Sequence, residues 1–171
     1  MRSSQSELEL AIENAVRLHG HLGPFLVLGV RMGKLAKERL KKDSVECGNL
    51  TATVRTPLLT PYSCVLDGIQ TTTSCTVGNQ RLRMENSQDE ISGCFETAGL
   101  TWALQIIVNP EVIKEVREKM IKGASNEDLA SLITSMSEEG LFIIERKWTA
   151  SLPQAGSKMN STLRIARKRL D

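Results

Sequence analysis

The segment from Thr60 to Asn79, T-P-Y-S-C-V-L-D-G-I-Q-T-T-T-S-C-T-V-G-N, predicts a short helix that ends in a turn. We expect Thr60 to cap this helix and Pro61 to occupy its first position. An N–H group at that position has no acceptor within the helix, so proline loses no hydrogen bond there. The β-branched threonines at 71–73 favour an end to the helix, and Cys75 then lies in the turn that follows. The candidate site is placed around this helix.

One face of the predicted helix carries reactive groups. At 100° per residue, Cys64, Asp67 and Gly68 share this face, whereas the opposite face is apolar and suited to packing. The helix start favours a thiolate at Cys64, because unpaired N–H groups and the helix dipole stabilise negative charge there. Gly68 is expected to leave space beside the thiol. A thiol and a carboxylate beside open space are candidates for chemistry.

A second candidate segment is H-G-H-L-G-P, residues 19–24, which separates two predicted helices. On an extended segment, His19 and His21 point the same way and can converge on one metal ion. The alternative is a helix-terminal pair, in which one imidazole bonds to a backbone carbonyl and the other is solvated. Pro24 begins the next helix, in which Gly29 and Gly33 permit a close approach by another element.

The remaining periodic segments predict an α+β fold. Alternating apolar and polar residues indicate five strands, and the order α-α-β-α-β-β-β-α-α-β favours a mainly antiparallel sheet with helices packed on it. Asn109 caps one late helix, and Ser125 caps another that ends at Gly140. Residues 1–150 form one α+β domain, and residues 151–171 form a basic C-terminal tail. We expect this tail to be a solvated end rather than an arm that binds nucleic acid or a membrane.

Composition restricts the class of protein. With 171 residues and a formal net charge of +2, the chain fits one globular domain and implies no particular charged partner. No apolar run is long enough to cross a bilayer, and no secretory signal opens the chain. Four cysteines without a signal fit a reducing cytoplasm, where thiols serve metals or chemistry more often than disulfides. We therefore expect a cytoplasmic protein without a nucleic-acid or membrane partner.

These motifs resemble the FmdE family, named after the FmdE component of formylmethanofuran dehydrogenase. The family pairs His-Gly-His-x-Cys-Pro with Cys-x-x-Asp-(Ala/Gly)-Ile-Gln, then Gly-Cys-Thr and Gly-Asn. This chain has H-G-H-L-G-P at 19–24, C-V-L-D-G-I-Q at 64–70, S-C-T at 74–76 and G-N at 78–79. The similarity extends from about residue 10 to about residue 148. Gly23 stands where the family has a cysteine. No cysteine follows Cys94, so we expect no C-terminal zinc ribbon of the kind that many relatives carry.

The resemblance implies an α+β core, a homodimer and a pocket where the His-Gly-His segment meets the cysteine helix. It also implies association with other subunits of the molybdenum or tungsten oxidoreductase that reduces CO2 to formylmethanofuran. The glycine-spaced second helix and the apolar face of the fourth strand, which carries Trp102, Leu104 and Ile106, favour the homodimer too. They offer more apolar surface than a small domain readily covers.

Three hypotheses for the function follow. The first is a metal site formed by His21, Cys64, Cys75 and His19, with His21 ahead of His19. Zinc is the favoured ion, nickel, iron and copper are alternatives, and one position stays open to water or a small-molecule ligand. The second is an enzyme in which Cys64 is the nucleophile, His21 the base and Asp67 the orienting group. The third is a non-catalytic subunit that docks on a larger dehydrogenase, with Cys64 an ordinary buried residue.

Overall fold

The structure, a computed structural model, describes residues 4–43 and 49–148. The α+β class predicted from the sequence is confirmed. The helices and strands occur in the order α1 (Ser4–His19), α2 (Pro24–Asp43), β1 (Thr51–Thr56), α3 (Val65–Thr73), β2 (Leu82–Asn86), β3 (Ser92–Glu96), β4 (Trp102–Val108), α4 (Pro110–Ile121), α5 (Asn126–Ser135), α6 (Glu138–Leu141) and β5 (Phe142–Trp148). The predicted basic tail, residues 151–171, lies outside the described residues.

The five strands form one sheet in the order β2-β1-β3-β4-β5. Three of the four neighbouring pairs are antiparallel, as the short connections predict, whereas β1 and β2 are parallel. A parallel pair needs a long crossover connection, and the segment that carries α3 supplies it. The helix with the candidate residues is therefore the crossover of a β-α-β unit.

Helix α2 is the central element of the core. It contacts α1, α3, α5 and β4, and its residues from Phe25 to Val30 are all buried. Leu28 and Met32 belong to the large core cluster that includes the inner face of the sheet, while Leu26 and Val30 pack against Ala15 of α1. Each fully buried aliphatic side chain contributes roughly 1.5–3 kcal/mol. Since α2 is buried on several sides, the loop before it and the helices beside it are firmly placed.

Helices α2 and α3 cross at glycines. A Cβ atom added to Gly29 would overlap the carbonyl oxygen of Val65, and one added to Gly68 would overlap the carbonyl oxygen of Leu26. The prediction that Gly29 permits close approach is confirmed. The prediction that Gly68 leaves space beside Cys64 is wrong, because the backbone of α2 fills that space.

The apolar surfaces that favoured a homodimer are used within one chain. Gly29 and Gly33 face α3, and Trp102, Leu104 and Ile106 are buried in the core of the same chain. Both surfaces are therefore covered without a second copy. The homodimer itself stays a prediction.

Two helix boundaries differ from those predicted. Helix α3 begins at Val65 rather than at Pro61, because a short 3-10 helix, Tyr62–Cys64, comes first. The helix expected to run from Ser125 to Gly140 ends at Ser135, and a new turn, α6, follows because the Ser137 hydroxyl accepts a bond from the N–H of Gly140. Among the described residues, no helix has both the length and the apolar character needed to cross a membrane.

Candidate functional site

A cavity of about 240 Å³ lies where the His-Gly-His segment meets the turn before α3. His19, His21 and Cys64 all border it. The remaining wall consists of the first residues of α2, the turn before α3, the end of α4 and the start of α5, namely Gly23, Pro24, Phe25, Leu26, Thr60, Pro61, Met120 and Asn126. The structure thus brings together three of the four predicted metal ligands.

His19 is the best-oriented of these groups. Its Nδ1 atom lies 2.7 Å from Oδ2 of Asp67. A carboxylate can only accept a hydrogen bond, so Nδ1 carries a proton, and in the neutral imidazole Nε2 then has the free lone pair. The His19 side chain is 13% exposed, and its Nε2 atom is buried with no hydrogen-bond partner among the described residues. A buried imidazole nitrogen of this kind calls for an explanation, because buried polar atoms are nearly always bonded.

Asp67 therefore orients an imidazole, as the enzyme hypothesis required, but that imidazole is His19 rather than His21. The carboxylate of Asp67 is 40% exposed and lies on the first turn of α3. Its partner is the last residue of α1, 48 positions earlier in the chain. The contact links the two segments that carry the family motifs.

His21 is exposed and close to His19. The two rings are 4.4 Å apart between centroids and tilted by 39°. The pair does not lie on an extended segment, because His19 ends α1 and Gly20 takes a left-handed conformation with φ +98°. The rings nevertheless come together at one edge of the cavity. His21 is the ligand candidate with freedom to change its side-chain rotamer.

Cys64 is buried, with 8% of its surface exposed, and it is the last residue before α3. Burial raises the pKa of the Cys64 thiol above its ordinary value, and the Asp67 carboxylate raises the pKa further. The expectation that this position favours a thiolate is wrong, because desolvation and the Asp67 charge raise the pKa by more than the backbone N–H lowers it. At neutral pH the group is a thiol unless a cation displaces the proton.

Cys75 lies at the other end of α3, outside the cavity wall. It is 1% exposed, and its Sγ atom donates to the carbonyl oxygen of Leu50 at 3.2 Å. Its backbone N–H donates to the Thr73 hydroxyl. The turn that follows is closed by Asn79, whose side chain bonds to the backbone of Ser74, Thr76 and Arg81. This end of the helix is occupied by structural hydrogen bonds.

The wall formed by Met120 and Asn126 is a feature that the sequence motifs do not indicate. Met120 is the penultimate residue of α4, and Asn126 is the first residue of α5. Asn126 reaches the cavity because α5 packs on α2, which is a long-range contact that periodicity does not encode. A methionine at helical spacing is typical of a core residue, so its place beside the two histidines and Cys64 emerges only from the fold.

The side chains of His19, His21 and Cys64 have the chemistry that a transition metal needs in its ligands. Imidazole nitrogen and thiolate sulfur are the ligands that zinc and its neighbours prefer. In residues 4–43 and 49–148 there is, however, no group of three or more His, Cys, Asp or Glu side chains already arranged to hold an ion. Ligation would therefore require side-chain rotation, for which the exposed His21 is suited.

Comparison with known proteins agrees with the motifs. The model of the family described as FmdE, molybdenum formylmethanofuran dehydrogenase operon, matches residues 18–150. The chain belongs to the FmdE family. The matched residues include the whole cavity wall, from His19 to Asn126. The family resemblance predicted from the motifs is thereby confirmed.

Two individual proteins are similar to this FmdE-family chain. A protein of Archaeoglobus fulgidus, named as a probable S-adenosyl-L-methionine-binding protein, is 35% identical over 78 residues, which are 46% of this chain and 21% of that protein. The chain thus matches about a fifth of that relative's length. The crystal structure of a tungsten formylmethanofuran dehydrogenase FmdE-like protein from Syntrophus aciditrophicus aligns with TM-score 0.60 and 18% identity, over 84% of this chain and 73% of that one. At this identity the likeness concerns the fold.

Proposed function

We propose that this FmdE-family protein binds a divalent transition metal, with zinc the favoured ion, in the cavity bordered by His19, His21 and Cys64. The observation that carries the proposal is the buried, unpartnered Nε2 atom of His19, whose Nδ1 atom is held by Asp67. Histidines that ligate metals almost always donate their other N–H to a carboxylate, a carbonyl or water. The His19–Asp67 pair has this arrangement.

The state of Cys64 supports the same proposal. Its raised pKa disfavours a free thiolate nucleophile at neutral pH, whereas a metal ligand loses its proton when the ion binds. Zinc affinity should therefore rise with pH as long as the thiol is still protonated. Cys75 is left out of the ligand set because its thiol is bonded to Leu50 and lies outside the cavity wall.

The size of the cavity favours an open coordination position. Its volume of about 240 Å³ exceeds the roughly 30 Å³ that one water molecule occupies in the liquid. Three protein ligands with a fourth position for water or a small molecule are typical of catalytic rather than structural zinc sites. Asn126 and Thr60 border the same space and offer hydrogen bonds to a bound molecule. Association with formylmethanofuran dehydrogenase subunits stays a prediction.

The test is metal analysis of protein purified without chelator, followed by calorimetric titration with zinc. We expect up to one ion per chain in the purified protein and tight zinc binding after the metal is stripped. His19→Gln should weaken zinc binding strongly, because it removes the imidazole while keeping a polar side chain. Cys94→Ser is the matched control, since this free cysteine is on β3 and outside the cavity wall. Protein that contains no metal and takes up neither zinc nor nickel contradicts the proposal.

A further inference from the structure

A methionine is among the residues that border the cavity. Met120 borders the cavity and is partly buried, whereas the next residue, Ile121, is 85% exposed. Helix α4 ends directly after this pair, where Gly123 takes φ +86° and its N–H donates to the Met120 carbonyl oxygen. This helix end is fixed by backbone bonds, so Met120 has a defined place in the wall.

The residues that border the cavity therefore include two histidines, one cysteine and one methionine. Its described wall contains no Asp or Glu, the hard oxygen ligands that suit magnesium, calcium and manganese. Two histidines and a cysteine, with a weak axial methionine, are the ligand set of protein copper sites, and thiolate and thioether sulfur select monovalent copper. Zinc gains little from a thioether, because it favours thiolate, imidazole and carboxylate.

We propose that Met120 is a further metal ligand and that, through it, the cavity binds monovalent copper. The inference rests on the proposed metal site, but it adds a residue that the motifs do not contain and selects cuprous copper among the ions that they allow. The sulfur of Met120 contributes to the affinity for cuprous copper and not to the affinity for zinc. A methionine that only fills space in the core would show no such difference between the two ions.

The experiment compares the parent protein with Met120→Leu and with Met84→Leu. Leucine replaces methionine at nearly constant volume, so the fold is retained. Met84 is an exposed methionine on β2, outside the cavity wall, and serves as the matched control. Under anaerobic conditions, cuprous copper is titrated in competition with bathocuproine disulfonate, and zinc is titrated by calorimetry.

We expect Met120→Leu to weaken cuprous binding by about tenfold, a loss of about 1.4 kcal/mol. Zinc affinity and the behaviour of Met84→Leu should be unchanged. X-ray absorption at the copper edge should show two sulfur neighbours in the parent protein and one in Met120→Leu. Equal cuprous affinity in parent and Met120→Leu overturns the inference while the zinc site stands. A parent protein that binds zinc but no cuprous copper also overturns it, and one that binds neither ion overturns the proposed function itself.

Discussion

The two ends of α3 differ in how their polar groups are used. At the C-terminal end, the Cys75 thiol, the Thr73 hydroxyl and the Asn79 amide all bond to neighbouring groups. At the N-terminal end, Cys64 borders an open cavity, and the Nε2 atom of His19 has no partner among the described residues. Both ends contain a buried cysteine, and both thiols have a raised pKa because of burial.

The difference indicates that burial and pKa alone do not identify a functional cysteine in this chain. A thiol that donates to the Leu50 carbonyl has a structural role in which its proton is needed. The Cys64 thiol borders the same cavity as the oriented imidazole of His19 and can exchange its proton for a cation there. The hydrogen bonds at the C-terminal end hold α3 in place, whereas the polar groups at the N-terminal end remain available to a ligand.

Between the two ends, Gly68 sets the position of α3 against α2. Gly68→Ala places a Cβ atom against the backbone of Leu26 and Val30, which cannot move without shifting α2. We expect a loss of stability of about 3 kcal/mol or more, at the upper end of the range for overpacking. Urea unfolding measures this loss. Gly23→Ala is the matched control, because nothing lies within 4 Å of its added Cβ atom; equal losses in the two variants would refute the role of the helix crossing.

Replacing Cys64 should affect zinc affinity, whereas replacing Cys75 should not. Cys64→Ala is expected to weaken zinc binding roughly a hundredfold or more, beyond the tenfold to hundredfold loss typical of outer-shell partners. Cys75→Ala should leave zinc affinity intact and lower stability by about 1–2 kcal/mol, because the Leu50 carbonyl loses its donor. Calorimetry and urea unfolding on both variants measure the two effects. If Cys75→Ala abolishes zinc binding in a folded protein, the metal site lies at the C-terminal end of α3 and the proposed assignment is wrong.

Asp67 bonds to the His19 imidazole and raises the pKa of the Cys64 thiol. Its removal should therefore lower zinc affinity and also lower the pKa of the thiol. Asp67→Asn is expected to weaken zinc binding by roughly tenfold, because His19 loses its carboxylate partner. The same change removes one of the two causes that raise the Cys64 pKa, so the thiol should ionise at lower pH. In metal-free protein, the pH profile of Cys64 alkylation, followed by peptide mass mapping, should shift to lower pH. Asp89→Asn, on an exposed loop, should leave the profile in place.

The smallest effect is expected in the turn after α3. Asn79→Ala removes bonds to the backbone of Ser74, Thr76 and Arg81. Because this turn is exposed, we expect a loss of only about 1 kcal/mol in the free energy of unfolding and no change in zinc affinity. Gln88→Ala, in another exposed loop, is the control. A change in zinc affinity for Asn79→Ala would contradict the separation of the two ends.

Local signals in the sequence predicted much of the fold. Pro24 begins α2, and Asn109 caps α4 by accepting a bond from the N–H of Glu111 at 3.1 Å. The five strands lie where alternation predicts them, since a sheet with one face on the core imposes that period. The direction of the β1–β2 pair and the start of α3 were not predictable in the same way. Both depend on how the segment between the strands packs on α2.

The candidate site could be predicted only in part. The motifs identify His19, His21, Cys64 and Asp67, but they do not show which imidazole Asp67 orients, because the two residues are 48 positions apart. A thiolate at the helix start was the wrong expectation, since sequence does not reveal the burial of Cys64. Met120 lies near the end of α4, far along the chain from both motifs, so no spacing near the motifs could have indicated it.

The open space beside Gly23 has a consequence for how this family diversifies. Gly23 borders the cavity, its backbone is not left-handed, and an added Cβ atom would meet nothing within 4 Å. Two of the four glycine codons differ from a cysteine codon in their first base alone. A side chain can therefore appear or vanish at this position by one point mutation without its Cβ atom overlapping a neighbour. Related genes can drift between pockets with and without this thiol while the encoded fold is conserved.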